Sequence, residues 1–406
     1  MGSRVAVVAE GYDVVLVGGG AMSATLGVLL RRVPHYSFAR GAAGVERLRL
    51  RHAALRGHPL FEGLELVRDR DAMAELLPLM FEGRPADEEV ALCRSRGGTD
   101  VDYGVLTRRL FAALERDGVE VRTGHEVRSL SRDRRSWRLR VRDLAGRRDY
   151  GVHGSFVFLG AGGGTLPLLQ SAGVAETRAY GGFPISGRFL RTDRPELVAA
   201  HHAKVYSHAE PGAPSLSVPH LDTRVVGGRT YLMFGPFAAF SPRFLKRGRL
   251  TDLPGSITPG NLPTLLGAAR AERAMLRYLV GQLAQTGRDR LRALRRFVPR
   301  ARAGDWEPIT AGQRVQVVKP VNGRGSIAGF GTEVVTSAYG GLAALLGASP
   351  GASASVAIML DVIERAFPGR LPGWRPALRE LVPAYGTAPS ERPEPARETA
   401  RTLGLE

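Results

Sequence analysis

Apolar runs that end in glycine set the pattern at both ends of this chain. Near the start, Asp13-Val14-Val15-Leu16-Val17 feeds straight into Gly18-Gly19-Gly20, and the small-residue stretch Ala21-Met22-Ser23-Ala24-Thr25-Leu26 follows. A short apolar run bounded by turn residues predicts a buried strand, and the glycines predict a tight turn into a helix. Gly18 permits the bend, Gly20 lets backbone approach a ligand, and N–H groups at the helix start, from Ala21 to Ser23, favour a phosphate. Such turns also occur without ligands, and the strict pattern wants Gly or Ala where this chain has Ser23. The pattern further asks for an acidic residue at the end of a second strand about 20 residues on, to hold ribose hydroxyls. That window runs from Phe38 to Glu46. Glu46 follows no apolar strand and reads as a first-turn carboxylate of a helix continuing through Leu48, Leu50 and Leu55.

Further along, residues 33–90 read as polar and mostly helical, with turns at Gly57-His58-Pro59 and Gly83-Arg84-Pro85. Leu106, Leu110, Phe111 and Leu114 recur at helical spacing and predict an amphipathic helix over Thr107 to Glu115, with Asp102 capping or preceding it. Short strands are expected at Val119–Val121 and Val127–Leu130. Trp137 to Val141 alternates like an exposed hairpin strand, and a turn falls over Asp143 to Asp149. A second apolar run into glycine, Phe156-Val157-Phe158-Leu159-Gly160-Ala161-Gly162-Gly163-Gly164, repeats the opening design. The β-forming, Gly- and Pro-rich stretch from Phe183 to about Pro242 predicts an antiparallel sheet. Residues 262–300 read as basic helices, 329–366 as the last well-marked unit, and the Pro-rich tail 384–406 as disordered. No residue is charged between Glu333 and Asp361, which is long enough to span a membrane. Gly340-Gly341, Gly347 and Pro350-Gly351 interrupt it, so a turn at Gly347-Ala348-Ser349 and a buried helix with Pro350 in its first turn fit better.

Composition narrows this picture. The chain has 406 residues, 44% of them hydrophobic, which is ample for a core and for two or three structural units. Net charge is +18, carried mostly by Arg spread along the whole length. Such a balance suits an anionic surface, or simply basic solvated faces. No basic cluster interleaves with aromatics, so nucleic acid is not an expected partner. Cys93 is the only cysteine, which excludes an intramolecular disulfide and a cysteine metal cluster, and fits a reducing compartment. His201, His202 and His208 match no metal-ligand spacing, and no metal is expected; they read as surface histidines, as do His35, His52, His58, His125 and His153. The N-terminus carries no signal-peptide pattern.

Several strings, in order, resemble one flavoprotein family. They are the run from Val17 to Leu26, Gly98-Thr99-Asp100-Val101-Asp102-Tyr103-Gly104, Leu159 to Gly164, and Ser217-Val218-Pro219-His220-Leu221-Asp222-Thr223-Arg224. Phe234-Gly235-Pro236-Phe237, Ala311-Gly312-Gln313-Arg314-Val315-Gln316, Gly331-Thr332-Glu333-Val334-Val335-Thr336-Ser337 and Leu346 to Ser353 follow. Together they resemble malate:quinone oxidoreductases, a family similar to the D-amino-acid-oxidase-like flavoproteins. The resemblance implies an α/β fold: a Rossmann-type FAD-binding domain beside an α+β substrate domain built on a mostly antiparallel sheet. The implied division is 1–32, 97–175 and 301–370 for FAD, and 33–96 and 176–300 for substrate. It also implies oxidation of (S)-malate to oxaloacetate, a membrane quinone as electron acceptor, and a cytoplasmic protein peripheral on the inner face of the membrane. Two departures stand out. After Leu29-Leu30-Arg31-Arg32 the chain joins directly to Val33-Pro34-His35-Tyr36-Ser37-Phe38, which resembles a much later part of the family, so several tens of residues are missing. Tyr339 stands before Gly340 where the family usually has Asp.

Removing hydride from a 2-hydroxy acid needs a base for the hydroxyl proton, cations for the carboxylates and a dipole for charge growing on the flavin. His220 and Arg224 lie four apart in a strand-like stretch, so both can face one ligand, as base and carboxylate clamp. Arg314 is the second clamp candidate, with the planar guanidinium that suits a carboxylate; Lys319 reads as solvated. The cofactor positions implied are Gly18, Gly20, Ala21, Ser23, Gly160, Ala161, Gly162, Gly331, Gly347, Ala348, Ser349 and Gly351. The helix starting near Pro350 would aim its N–H groups at the flavin. Two other readings stay open: a degenerate member without flavin or catalysis, and a flavin dehydrogenase for another 2-hydroxy dicarboxylate.

Overall fold

The computed structural model describes residues 5–6, 12–17, 30–58, 61–134, 136–207, 218–327, 332–347, 354–387 and 394–395. In chain order the first elements are β1 (Val5–Ala6), β2 (Tyr12–Val17), β3 (Leu30–Arg32), β4 (His35–Arg40), α1 (Ala42–Leu55), β5 (Glu65–Val67), α2 (Arg70–Leu76) and α3 (Pro78–Phe81). Then come β6 (Val90–Ser95), β7 (Thr99–Val101), α4 (Tyr103–Arg116), β8 (Arg122–Thr123), β9 (His125–Asp133), β10 (Ser136–Asp143), β11 (Asp149–Leu159) and α5 (Thr165–Ser171). The middle holds β12 (Gly181–Thr192), α6 (Pro195–Ala199), β13 (Lys204–Ser207), β14 (His220–Val226) and β15 (Arg229–Ala239), followed by α7 (Asp252–Ser256), α8 (Leu262–Ala271), α9 (Arg273–Leu283) and α10 (Gly287–Arg295). Last are β16 (Glu307–Val321), β17 (Arg324–Ile327), β18 (Thr332–Thr336), β19 (Leu342–Gly347), α11 (Ser355–Ala366) and α12 (Leu371–Leu381).

These strands form two large sheets. In the first, β19, β11 and β2 run parallel side by side, flanked by antiparallel β18 and β1, with the β9–β10 hairpin hung on β11. Strand β11 explains why: Phe156 and Phe158 point to one face, Val157 and Leu159 to the other, and all four are buried. A strand apolar on both faces belongs inside a parallel sheet. Phe156 and Phe158 pack with Ala343, Leu345 and Val362, which brings α11 onto that side. Val157 and Leu159 join Leu166, Leu169, Leu342 and Leu346 on the other side, together with Phe244, Val315 and Val317 from the second sheet. The second sheet has nine strands in the order β17-β16-β12-β15-β14-β13-β4-β6-β5, antiparallel except where β13 meets β4. The result is an α/β unit of Rossmann type beside an α+β unit on a mostly antiparallel sheet.

Several expectations change. Residues 33–40 are not helical: His35–Arg40 is a strand paired on both sides, by β13 and β6. Its Tyr36 and Phe38 are buried among α2, α3 and α10 residues, and this long-range burial outweighs local propensity. The 301–370 segment divides, because β16 pairs with β12 and β17 with β16 in the second sheet, while β18 and β19 join the first and α11 packs on it. Trp137, Leu139 and Val141 are buried, so that hairpin strand shows only its other face to solvent. Glu46 sits in the second turn of α1, exposed and bonded to Arg49, away from any ribose role. Asp102 does cap α4, accepting from Gly104 N and Val105 N. No helix among the described residues is long and apolar enough to cross a membrane. Most of the 384–406 tail, and Pro350, lie outside the described residues.

Candidate functional site

The nine-stranded sheet has two unlike faces. Side chains alternate along each strand, and residues opposite one another share a face. On one face Leu221, Leu232, Phe234, Leu190 and Val205 are buried against Leu294 of α10 and Phe297 and Val298 just after it, and against Met73 of α2, Met80 of α3 and Leu77 between them. The other face carries the intervening residues, and on β4, β13 and β14 these are polar. His220, Asp222 and Arg224 of β14 alternate with Leu221 and Thr223; Tyr206 and Lys204 of β13 stand opposite His220 and Asp222. His35 and Ser37 of β4 stand opposite Lys204 and Tyr206.

Strand β7 closes over this polar face and completes a buried charge cluster. Asp100 is 4% exposed, Lys204 5% and Asp222 3%. Lys204 Nζ donates to Asp100 Oδ1 at 2.8 Å and lies 4.0 Å from Asp222 Oδ2. Arg224 Nε lies 2.8 Å from Asp100 Oδ1, and another guanidinium nitrogen donates to the Val101 carbonyl at 3.2 Å. The Val225 N–H donates to Asp100 Oδ2 at 2.9 Å. His220 Nδ1 sits 2.9 Å from Asp222 Oδ2. Burial pushes the Asp222 carboxyl up, but the His220 imidazole and the cations of Lys204 and Arg224 outweigh it and hold it below its ordinary value. Burial and Lys204 push His35 down, and burial with the Asp222 charge pushes the Tyr206 phenol up. The His220 ring is enclosed by Tyr206, with ring centroids 4.8 Å apart, and by Phe189 of β12 at 5.6 Å. Opposite His220 is Gly235, where a Cβ would come within 3.0 Å of the Phe189 ring. The missing side chain leaves the Phe189 ring its place beside the imidazole.

Thus His220 and Arg224 share a face, as their spacing predicts. Arg314 shares it too, by register. The extra residues at the two irregularities lie on β15 and β16, so β12 keeps its alternation from Phe189 to Ile185, and Ile185 stands opposite Arg314. Burial works against the charge on Arg314, which lies two strands further across the sheet from β15. Arg224 already holds Asp100, so its guanidinium is fixed by a carboxylate of the protein itself. Asp222, Asp100, Lys204 and Tyr206 are the site residues that the sequence reading did not single out. The signal for Asp222 was there: it is the middle member of the same alternation that pairs His220 with Arg224.

Val17 pairs with Leu159 and Leu159 with Ala344 across parallel ladders, so β2 and β11, the strands that precede the two glycine stretches, end side by side at one edge of the first sheet. Open parallel sheets bind nucleotides outside such carboxyl ends. Not every glycine there needs a ligand to explain it. Gly162 has φ +59, and a Cβ on Gly163 would lie 2.0 Å from the Phe244 carbonyl oxygen. The Ala161 N–H is taken by Thr165 Oγ1 at 3.1 Å. Gly347 ends β19 opposite Thr332 with φ +84. Gly18, Gly20, Ala21, Ser23, Gly331, Ala348, Ser349 and Gly351 lie outside the described residues. On its other side β2 is flanked by antiparallel β1 and, among the described residues, by no second parallel strand. Only nine residues separate Gly20 from β3, fewer than the dozen or so a parallel crossover needs. Among the described residues this edge offers no carboxylate strand end for an adenosine ribose.

Other candidates settle elsewhere. Lys319 is not solvated: it donates to Glu333 at 2.6 Å and ties β16 to β18. Tyr339 is exposed, with the Arg132 guanidinium 4.5 Å from its ring centre. His201 is not a surface histidine but is 1% exposed, while His202 is exposed and His208 lies outside the described residues.

Comparison with known proteins places this geometry. The family model described as malate:quinone oxidoreductase (Mqo) matches residues 30–404. A malate:quinone oxidoreductase of Leifsonia xyli subsp. xyli is 49% identical over 381 residues, 93% of this chain and 78% of the relative. One of Pseudomonas aeruginosa is 50% identical over 355 residues, 87% of this chain and 70% of the relative. Among solved structures, L-alpha-glycerophosphate oxidase of Mycoplasma pneumoniae with FAD bound is similar, with TM-score 0.53 and 15% identity over 82% of this chain and 73% of that one. Glycine oxidase of Geobacillus kaustophilus is similar, with TM-score 0.52 and 13% identity over 83% and 72%. At these identities the two structures speak for the fold alone.

Proposed function

The chain belongs to the malate:quinone oxidoreductase family, and from that premise we propose that it oxidises (S)-malate to oxaloacetate with FAD as hydride acceptor and quinone as the final electron acceptor. The observation that carries this reading to the residues is the polar face of the second sheet, where His220, Arg224 and a buried charge cluster lie together. When bound, FAD supplies the two-electron acceptor. The turn from Gly18 to Ser23, with Gly160, Gly162 and Gly347, would hold it. The chain's own residues do the rest. His220 takes the substrate hydroxyl proton as hydride leaves the carbon. Its ring is already oriented by Asp222, Tyr206 and Phe189. By register Arg224 and Arg314 lie on opposite sides of His220, and Arg224, beside the charge cluster, would hold a carboxylate of malate. Arg224 is kept rigid by Asp100, which lowers the entropic cost of binding a dianion.

The partner surface follows from charge. Between Arg243 and Arg302 the sequence has fourteen Lys or Arg against three Asp or Glu. The same stretch exposes Leu250, Ile257, Leu262, Leu266, Val280 and Leu283. Basic residues around exposed apolar ones suit the anionic inner face of a membrane, where quinone resides, and each well-placed cation adds about 1 kcal/mol. The protein in this reading is cytoplasmic and peripheral.

Two measurements test the reading. Purified protein should absorb in the near-UV and blue, and anaerobic malate should bleach that absorbance, with quinone restoring it. Protein that stays colourless after incubation with FAD overturns it. Binding to anionic vesicles should fall steeply with added salt, and salt-insensitive binding removes the electrostatic part.

A further inference from the structure

Asp222 is the member of the cluster with unspent bonding capacity. Asp100 is fully engaged, by Lys204, by Arg224 and by the Val225 N–H. Asp222, by contrast, has Lys204 at 4.0 Å, beyond hydrogen-bond length, and its Oδ1 is buried without a hydrogen-bond partner among the described residues. Its one close polar neighbour is His220 Nδ1, at 2.9 Å. The ring is turned so that the Nδ1–H direction lies off that line. Hydrogen bonds of this kind are commonly misaligned in the absence of substrate and tighten on binding. Two residues apart on one strand, His220 and Asp222 project from the same face, so the pairing needs no loop to arrange it.

We propose that Asp222 is a positioning residue: its carboxylate accepts the His220 Nδ1–H, fixing the tautomer in which Nε2 carries the lone pair that meets the substrate. This rests on the reading of His220 as the base. An imidazole has two nitrogens, and only a partner on one of them decides which is free to accept a proton. The groups facing the imidazole point the same way. Tyr206 and Phe189 are ring neighbours that hold its plane. Lys204 and Arg224 offer the imidazole no acceptor for its N–H, and both are committed to Asp100. His35 lies one ring further out, 6.1 Å from Tyr206, and Gly235 has no side chain at all. Asp222 is therefore the only carboxylate among the described groups at hydrogen-bond distance of the ring. The remaining cluster serves this bond. Lys204 and Arg224 keep Asp222 ionised in a buried place, and Asp100 keeps those two cations fixed.

The test uses the full chain and two readouts. With ring-15N histidine, the nine histidines give separable signals, and the His220 pair is assigned by its loss in His220→Asn. At pH 8 wild type should show Nδ1 protonated and Nε2 bare. In Asp222→Asn the amide can donate to Nδ1, and the signals should exchange to the Nε2–H form. Asp222→Glu should keep the wild-type tautomer and guards against a variant that misfolds. In the flavin-loaded enzyme the rate of reduction by malate should fall on the order of 10²–10³-fold in Asp222→Asn, the range for a misplaced general base. Asp222→Glu should recover part of it, with KM little changed. An Nε2–H form in wild type, or an unchanged tautomer in Asp222→Asn, overturns the proposal. So does a normal reduction rate in Asp222→Asn when His220→Asn is slow. If His220→Asn itself reduces at the normal rate, the reading of His220 as base fails instead, and the tautomer measurement still decides what Asp222 does.

Discussion

One sheet presents two opposite solutions to burial. On its helix-packed face, Leu221, Leu232, Val205 and Phe234 are each 0% exposed and contribute only apolar contact. On the other face, Asp100, Lys204 and Asp222 are buried almost as deeply, yet each is charged or hydrogen-bonded. The same strands supply both: in β14, Leu221 looks one way and His220 and Asp222 the other. Stability and chemistry are thus separated by parity along a strand. A change at an odd position of β14 acts on folding, and a change at an even position acts on the site.

The largest effect should come from the apolar face. Phe234 packs edge-on against Phe237 and Phe297, at 5.8 and 5.0 Å between ring centres. Phe234→Ala should cost about 3–5 kcal/mol, by lost transfer energy and by the cavity left behind. Denaturant unfolding measures it. The protein that remains folded should keep its KM for malate, because no polar-face residue has moved. A cost below about 1 kcal/mol would mean that this face is not the core.

A smaller effect is expected across the sheet. Lys204→Met keeps the volume of the stem and removes the cation between Asp100 and Asp222. Breaking a buried ionic group by deleting one partner costs roughly 3 kcal/mol or more, tempered here because Asp100 keeps Arg224. The double variant Lys204→Met with Asp100→Asn should recover a good part of that cost, since it removes the carboxylate left short of a cation. Strict additivity in the double-variant cycle would break the picture of one coupled cluster.

How much of this could be read from residues alone differs between the faces. The His220–Arg224 pairing on one face follows from even spacing, and Asp222 between them obeys the same rule. Lys204 and Asp100 gave no local sign, because they arrive from strands β13 and β7 and meet β14 only through tertiary pairing. Strand β4 was misread as part of a helical stretch. Its Tyr36 and Phe38 face a core, and its His35 and Ser37 face the cluster, so its pattern makes sense only when both neighbours are in place. Strand β16 was assigned to the glycine-turn unit, and Val315 and Val317 do pack there, while its backbone pairs with β12. The two glycine stretches are legible in the sequence, while the side-by-side ends of the strands before them need the register of β2 and β11. The short interval before β3 is legible in the sequence too, since nine residues after Gly20 cannot hold a helix and a strand.

The smallest of the three effects concerns the place where the two faces meet. His201 precedes β13, and its carbonyl accepts from Thr223 Oγ1 at 2.7 Å. Its ring is fully buried, and burial pushes its pKa down to about 4. A histidine that must stay neutral in the fold binds fewer protons than it does unfolded, where it titrates near 6.5. Its contribution is therefore nil above pH 6.5, and stability falls as pH drops from 6.5 toward 4. At pH 5 the loss is on the order of 2 kcal/mol, taking about 1.4 kcal/mol per pH unit below the unfolded value. Asp222, whose carboxyl is held below its ordinary value, acts in a lower window: its stabilisation is lost only as pH falls below the usual carboxylate range. The two windows separate the contributions. His201→Leu should flatten the stability profile between pH 6.5 and 5 and leave the steeper loss at lower pH in place. If the variant keeps the wild-type slope over that interval, the acid sensitivity belongs to the polar cluster and not to the buried ring beside it.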